Sequence, residues 1–242
     1  MQDVAAELTE RLRAVATAER AAAEKRYLKS DLEFLGASVQ QIRRAVKELE
    51  ARAPLDRERL LSLVDALWRR PIHERRVAAV VTLERHVPLL RPDDLAVMER
   101  LVRESRTWAL SDGLATGVIG PLLVRRPDVA DAWLGRWAAD DDFWIRRTAL
   151  LAEIAPLRAG APFERFGRHA DAMLEEREFF IRKAIGWVLR EVSKSRPDEV
   201  LAWIAPRTGR ASGVTMREVV KYLRGPAGEL MSAYRARRPA RV

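Results

Sequence analysis

The sequence predicts an all-α fold, a superhelical stack of paired helices, and three observations carry that prediction. Apolar residues recur at helical spacing nearly from end to end, and no convincing stretch alternates with the period of two that a half-buried strand needs. Pro and Asp stand at helix starts almost throughout, where a missing N–H does no harm and a negative charge is favoured. A short signature also returns at a fixed period. Trp108-Ala109-Leu110-Ser111-Asp112, Trp144-Ile145-Arg146-Arg147-Thr148 and Phe180-Ile181-Arg182-Lys183-Ala184 begin 36 residues apart. Periods of this size mark stacked helical repeats and not a single closed core.

Taken in order, Val4 to Tyr27 reads as one or two Ala-rich helices. Phe34-Leu35-Gly36 interrupts the pattern, and Ser38 is placed to N-cap Val39–Arg52. Pro54 and Asp56 open Arg57–Arg69, Pro71 opens Ile72–Val87, and Pro92-Asp93-Asp94 opens Leu95–Glu104. The predicted helices then run Trp108–Arg125, Asp128–Ala138, Phe143–Pro156, Pro162–Arg177, Phe179–Ser195, Pro197–Pro206, Val214–Leu223 and Pro226–Arg237. They pair into hairpins of roughly 35 residues, within the range known for such repeats. The register reaches back to Arg76 and forward to Thr215-Met216-Arg217-Glu218. The expected architecture is a HEAT-like (ARM-repeat-like) solenoid whose second helices line a concave basic groove. A single domain, 1–242, is expected: N-terminal helices 4–33, a repeat core of 38–225, and a basic C-terminal tail at 235–242.

Composition narrows the function classes. With 242 residues, 48% of them hydrophobic, the chain can bury a substantial core. It carries 44 Lys and Arg, only six of them Lys, against 35 Asp and Glu, for a net charge of +9. Arg suits planar contacts with phosphate. The balance fits an anionic polymer or a membrane surface, and equally a solvated Arg-rich exterior. There is no Cys, which excludes disulfides, thiolate catalysis and Cys-based metal centres. His73, His86 and His169 have no ligand spacing, so neither a metal nor another cofactor is expected. The first residues are acidic and lack an apolar signal core, and no run of about 18 apolar residues exists. A cytoplasmic monomer is the expectation.

The three copies of the signature differ where repeats have no structural need to differ. One offers Asp112, the next Arg147, the third Lys183 and then Trp187. Helical neighbours lie at i+3, i+4 and i+7. Ile145, Ala149 and Ala152 make one apolar stripe, and Ile181, Ile185, Val188 and Val192 another. Trp108 and Asp112 share a different face, as do Trp144, Arg147 and Leu151, and Phe180, Lys183, Trp187 and Arg190. Aromatics at one register are commonly packing residues, and that alternative applies most to Trp144 and Phe180. A carboxylate inside an apolar helix costs several kcal/mol unless partnered. Asp112 is therefore either functional or half of a structural ion pair.

Three stretches resemble a known family. They are Trp108-x-x-x-Asp112, Trp144-Ile145-x-Arg147, and Glu178-Phe179-Phe180-Ile181-x-Lys183-Ala184-Ile185-Gly186-Trp187-Val188-Leu189-Arg190-Glu191. With Tyr27-Leu28-Lys29, Phe34-Leu35-Gly36, Leu67-Trp68 and Arg217-Glu218 they are similar to the HEAT-like-repeat DNA alkylation repair glycosylases of the AlkD type. The likeness covers most of residues 20–225. It implies a catalytic site of Trp108, Asp112, Arg147 and Trp187, and DNA contacts from Tyr27, Lys29, Arg147, Lys183, Arg190 and Arg217. The implied partner is duplex DNA containing cationic alkylated purines, of the 3-methyladenine and 7-methylguanine type, excised without a base-flipping pocket. Members commonly have a second Trp and a further acid in the first motif, where this chain has Thr107 and Ala109.

The residue types suit that chemistry. An alkylated purine is already a cation and a good leaving group, so the transition state to be stabilised is an oxocarbenium-like sugar with an incoming water. One carboxylate, Asp112, can do both tasks. Trp108 and Trp187 offer aromatic faces to a cation, and Arg147 and Lys183 offer phosphate contacts. A monofunctional DNA N-glycosylase is thus expected. The alternative is a non-catalytic HEAT-like scaffold that binds DNA or protein through the same groove.

Overall fold

The structure is a computed structural model that describes residues 1–52, 54–223, 225 and 227–236. The chain falls into two compact units, Met1–Leu122 and Leu123–Val242. Among the described residues the only β-type pairing is an isolated parallel bridge between Glu33 and Ile72. None of the described helices is long and apolar enough to cross a membrane.

The first unit contains α1 (Gln2–Val15), α2 (Ala18–Leu28), α3 (Val39–Glu50), α4 (Arg57–Trp68), α5 (His73–Arg85), α6 (Leu95–Arg103) and α7 (Trp108–Gly113). The N-terminal Ala-rich stretch is two helices. The chain leaves the helix at Ala16, and the Thr17 side chain accepts from Arg20 N to restart it. Ser38 and Gln41 form a reciprocal capping box at α3, and Asp56 caps α4. The core is the inward face of these helices, with Leu8, Leu12, Ile42, Leu60, Val64, Leu67, Ala78 and Leu83 all at 1% exposure or less. Each such Leu or Ile contributes about 1.5–3 kcal/mol by leaving water.

Beyond α7 the helix continues through a π-turn at Leu114–Ile119 into α8 (Gly120–Arg125). The expected helix over 108–125 is therefore continuous but widened. Pro121 brings no N–H to the ladder, and the wide turn lies directly upstream of it.

The second unit contains α9 (Ala130–Ala138), α10 (Phe143–Leu151), α11 (Ile154–Arg158), α12 (Glu164–Ala172), α13 (Phe179–Val192), α14 (Pro197–Ile204), α15 (Gly213–Val219) and α16 (Ala227–Ala236). The predicted helix 143–156 is two, because the Pro156 ring would clash with the carbonyl four residues back, and the chain breaks at 152–153. The predicted apolar stripes are buried: Ile145, Ala149, Ala152, Ile181, Ile185 and Val188 are at 0% and Val192 at 1%. The helix expected over 226–237 is described from Ala227 to Ala236. Pro226, Arg237 and the rest of the expected basic tail, 238–242, lie outside the described residues.

The segment between α2 and α3 is pinned to the start of α5. The Glu74 carboxylate, with no exposure, accepts from Leu35 N at 2.9 Å and Gly36 N at 2.6 Å. Burial pushes the Glu74 carboxyl upward, and those two N–H groups work against the shift. Phe34 stacks on the His73 ring at 4.8 Å, and His73 N donates to Glu33 O at 2.8 Å. Gly36 has φ +101°, and a Cβ there would lie 2.0 Å from Thr17 O; only glycine fits so close an approach.

Burial lowers the His73 pKa to about 4 from 6.5. The neutral ring therefore stabilises the folded chain fully above pH 6.5. That contribution is lost as pH falls from about 6.5 to about 4, where the unfolded chain takes up a proton that the folded one refuses. The loss is on the order of 3 kcal/mol. Urea unfolding at pH 7 and pH 4.5 should show a smaller pH effect in His73→Gln than in the native chain; equal effects would remove His73 from the acid sensitivity.

Candidate active site

In the first unit, Trp108 is the first residue of α7. Thr107 caps that helix, its side chain accepting from Ala109 N at 3.4 Å, and is itself 2% exposed. The departure from the family motif at 107 thus has a local use. The Trp108 ring is half-buried and meets Tyr27 edge-on, with centroids 5.7 Å apart and planes at 83°. Tyr27 stays 71% exposed, so it offers a face to solvent beside Trp108. Asp112 follows one turn later on the same side of the helix and is 7% exposed. The Thr116 hydroxyl donates to Asp112 O at 2.7 Å, at the entry to the π-turn. Such widened turns recur at functional sites.

Lys29 is exposed and forms the C-cap of α2 at φ 49°. Arg106, which the motif reading passed over, precedes α7 at φ 54° and bonds Asp31 at 2.8 Å. The pair Arg106–Asp31 and the contact Tyr27–Trp108 bring the 27–31 segment against 106–108. The Glu74 anchor holds the chain that follows the 27–31 segment.

In the second unit, Asp142 caps α10 and Glu178 caps α13 through their side chains. The repeat-leading aromatics pack on one another: Trp144 lies 4.8 Å from Phe180, and Phe143 lies 4.6 Å from Trp144. They are packing residues. Arg147 is 3% exposed; its Nη1 donates to Phe180 O, and its guanidinium lies 5.5 Å from the Phe180 ring. Arg76 repeats this arrangement in the first unit, donating to Glu104 O with its guanidinium 5.0 Å from the Trp68 ring. In both places an arginine ties its helix to a later segment through a backbone carbonyl.

Trp187 is half-buried on α13. Lys183 and Arg190, on the same helix, converge on Glu218 of α15. Lys183 Nζ sits 2.5 Å from Glu218 Oε1, Arg190 Nη1 donates to Oε2, and Lys221 Nζ lies 2.9 Å from Oε1. Burial alone would raise the Glu218 pKa; Lys183, Lys221 and Arg190 overcome it and hold the carboxyl at about 2. Arg217, next along the chain, is exposed. Gly186 lets the two helices touch, since a Cβ there would lie 2.8 Å from Glu218 Cβ and 3.1 Å from Thr215 Cα.

Tyr27, Trp108 and Asp112 are therefore brought together, and so are Lys183 and Arg190. The sequence reading missed Glu218 as their common acceptor. A signal was present: an acid stands 35 residues after Lys183, one repeat on. It missed Glu74 because an acid in the first turn of a helix reads as an ordinary dipole partner.

A family model described as "DNA alkylation repair enzyme" matches residues 8–223. Among solved structures the chain is similar to "Predicted DNA alkylation repair enzyme from Enterococcus faecalis", with a TM-score of 0.79 and 22% identity, covering 87% of this chain and 97% of that one. At that identity the likeness is one of fold. No curated protein sequence matches.

Gly186→Ala should destabilise the chain by about 1–3 kcal/mol through overpacking between α13 and α15. Urea denaturation measures it, and a change within about 0.5 kcal/mol, the range of ordinary surface substitutions, would mean the two helices part easily.

Proposed function

Because the chain belongs to the DNA alkylation repair enzyme family, we propose that it is a monofunctional DNA glycosylase acting on cationic alkylated purines in duplex DNA. The observation that carries the reading is the placement of Asp112. Asp112 is 7% exposed, one turn from half-buried Trp108, which exposed Tyr27 meets edge-on. A sheltered negative charge flanked by aromatic faces suits a cationic nucleoside, and charge interactions strengthen as water is excluded.

In this reading Asp112 stabilises the oxocarbenium-like sugar and orients or deprotonates the attacking water. Trp108 and Trp187 present faces to the cationic nucleotide. Arg147 fixes a phosphate, while Tyr27, Lys29, Lys183, Arg190 and Arg217 contact the DNA backbone. No general acid is required, since the base leaves without needing protonation. Strand cleavage would need a free amine to form a Schiff base, and the Lys183 amine is engaged by Glu218 at 2.5 Å. That supports release of the base with the backbone left uncut.

The scaffold reading draws on a different observation. Arg147 is 3% exposed and bonded to Phe180 O, and Lys183 and Arg190 share Glu218. Cations so engaged have less to give a phosphate.

Duplex DNA carrying 7-methylguanine decides between the two. The native chain should release free base, and Asp112→Asn should bind the same duplex while losing about 10²–10³ in rate. Tight binding with no release by the native chain would establish the scaffold. Affinity should also fall steeply with salt as phosphate contacts release counterions, and Arg147→Ala should flatten that slope. An unchanged slope would take Arg147 off the phosphate. Borohydride should trap no covalent adduct; one that vanishes in Lys183→Ala would make the enzyme bifunctional.

A further inference from the structure

Away from Asp112, α1 crosses the corner where α4 ends and α5 begins, and leaves a concavity of about 250 Å³ there. Gln2, Thr9, Glu10, Arg13, Arg70 and Arg75 line it. Arg75 forms its buried wall at 5% exposure. Its Nε donates to Leu67 O at 3.2 Å, its Nη2 to Ala66 O at 2.7 Å, and its Nη1 to Thr9 Oγ1 at 2.5 Å and Ala5 O at 3.4 Å. Every one of those acceptors is neutral. The Thr9 hydroxyl in turn donates a hydrogen bond to Ala5 O at 2.6 Å.

The charges that act on Arg75 are those of Arg70 and Arg13, of its own sign. Burial first, and then Arg70 and Arg13, lower its pKa, so the site works against its own cation. Glu10 is the acid in the lining, and it pairs with Arg13 at 2.7 Å in an exposed bridge. The carbonyl end of α4 supplies roughly half a negative charge. That accounts for part of one guanidinium and leaves the concavity strongly positive. Arg165 in the second unit shows the usual solution for a half-buried arginine, bonding both oxygens of Glu153 at 2.7 and 2.8 Å. Burying a charge without an opposite partner is costly, and a bound anion would supply that partner here.

We propose that this concavity is a binding site for a phosphate group, with Arg75 as its fixed floor and Arg13 and Arg70 as its two solvent-facing arms. Planar guanidinium donors match phosphate oxygens, and the space greatly exceeds the ~30 Å³ of one water. The phosphate comes either from a free phosphomonoester or from a nucleic-acid backbone. The proposal is independent of the glycosylase chemistry, so a failure to excise 7-methylguanine leaves it standing.

The test uses the full chain and inorganic phosphate. Arg13 and Arg70 are exposed, so Arg13→Ala/Arg70→Ala should fold normally, as circular dichroism would verify. Calorimetric titration with phosphate, against chloride at matched ionic strength, should give one site in the native chain. The double variant should bind at least about tenfold more weakly, as expected for lost charge-assisted hydrogen bonds. Duplex-binding isotherms across salt then identify the source. A log–log slope shallower by about one in the double variant assigns the site to a backbone phosphate. An unchanged slope alongside lost phosphate binding assigns it to a free phosphomonoester. No phosphate binding by the native chain, or equal binding by both proteins, overturns the proposal.

Discussion

Lys183 on α13 and Glu218 on α15 are 35 residues apart in the chain and 2.5 Å apart in space, and the same spacing recurs through both units. Glu50 meets Arg85 at 2.5 Å and Asp65 meets Arg100 at 3.5 Å, each 35 residues apart. Glu175 and Arg210 repeat it at 3.2 Å, and Asp171 and Arg207, 36 apart, at 2.6 Å. Where helices recur with a period near 36 residues, a charge finds its partner about one period along. The exposed pairs are weak, at about 0–1 kcal/mol each. The pairs with a buried acid matter more. Asp94 without Arg57, or Glu218 without its three cations, is a buried carboxylate left uncompensated.

This pairing changes the meaning of the basic composition. An excess of Arg reads equally as a surface for an anionic partner or as a solvated exterior. In the structure many of those arginines join repeats, and some do so through backbone carbonyls, as Arg76 does with Glu104 O and Arg147 with Phe180 O. Arg147 and Lys183, two of the residues that vary between copies of the signature, are thus also contacts between successive helices of the second unit. Lys183 and Arg190 share one carboxylate, which fixes their direction and reduces their net pull on a phosphate.

The surroundings of Asp112 are built differently. Tyr27 reaches Trp108 from α2, and the segment after α2 is held by the Glu74 carboxylate through the N–H groups of Leu35 and Gly36. The π-turn begins two residues after Asp112, ahead of Pro121. Asp112, at 7% exposure, stands one helical turn from the Trp108–Tyr27 pair.

The sequence by itself determined the helices, their order and the family. Helical periodicity, capping residues such as Ser38 and Asp56, and the 36-residue signature are local or periodic signals that survive without knowledge of packing. It also separated the apolar stripes of α10 and α13 from the mixed faces. The tertiary structure decided which member of a mixed face is free to meet a ligand. Arg147 and Tyr27 both read as binding residues, yet one is 3% exposed and the other 71%. The role of Glu74 was likewise invisible, because it depends on backbone N–H groups that only the fold brings within bonding distance, whereas Glu218 was at least hinted at by its spacing of one repeat from Lys183. Periodicity specifies the face on which a side chain stands. Whether a neighbouring repeat has already claimed that side chain is a property of the packing.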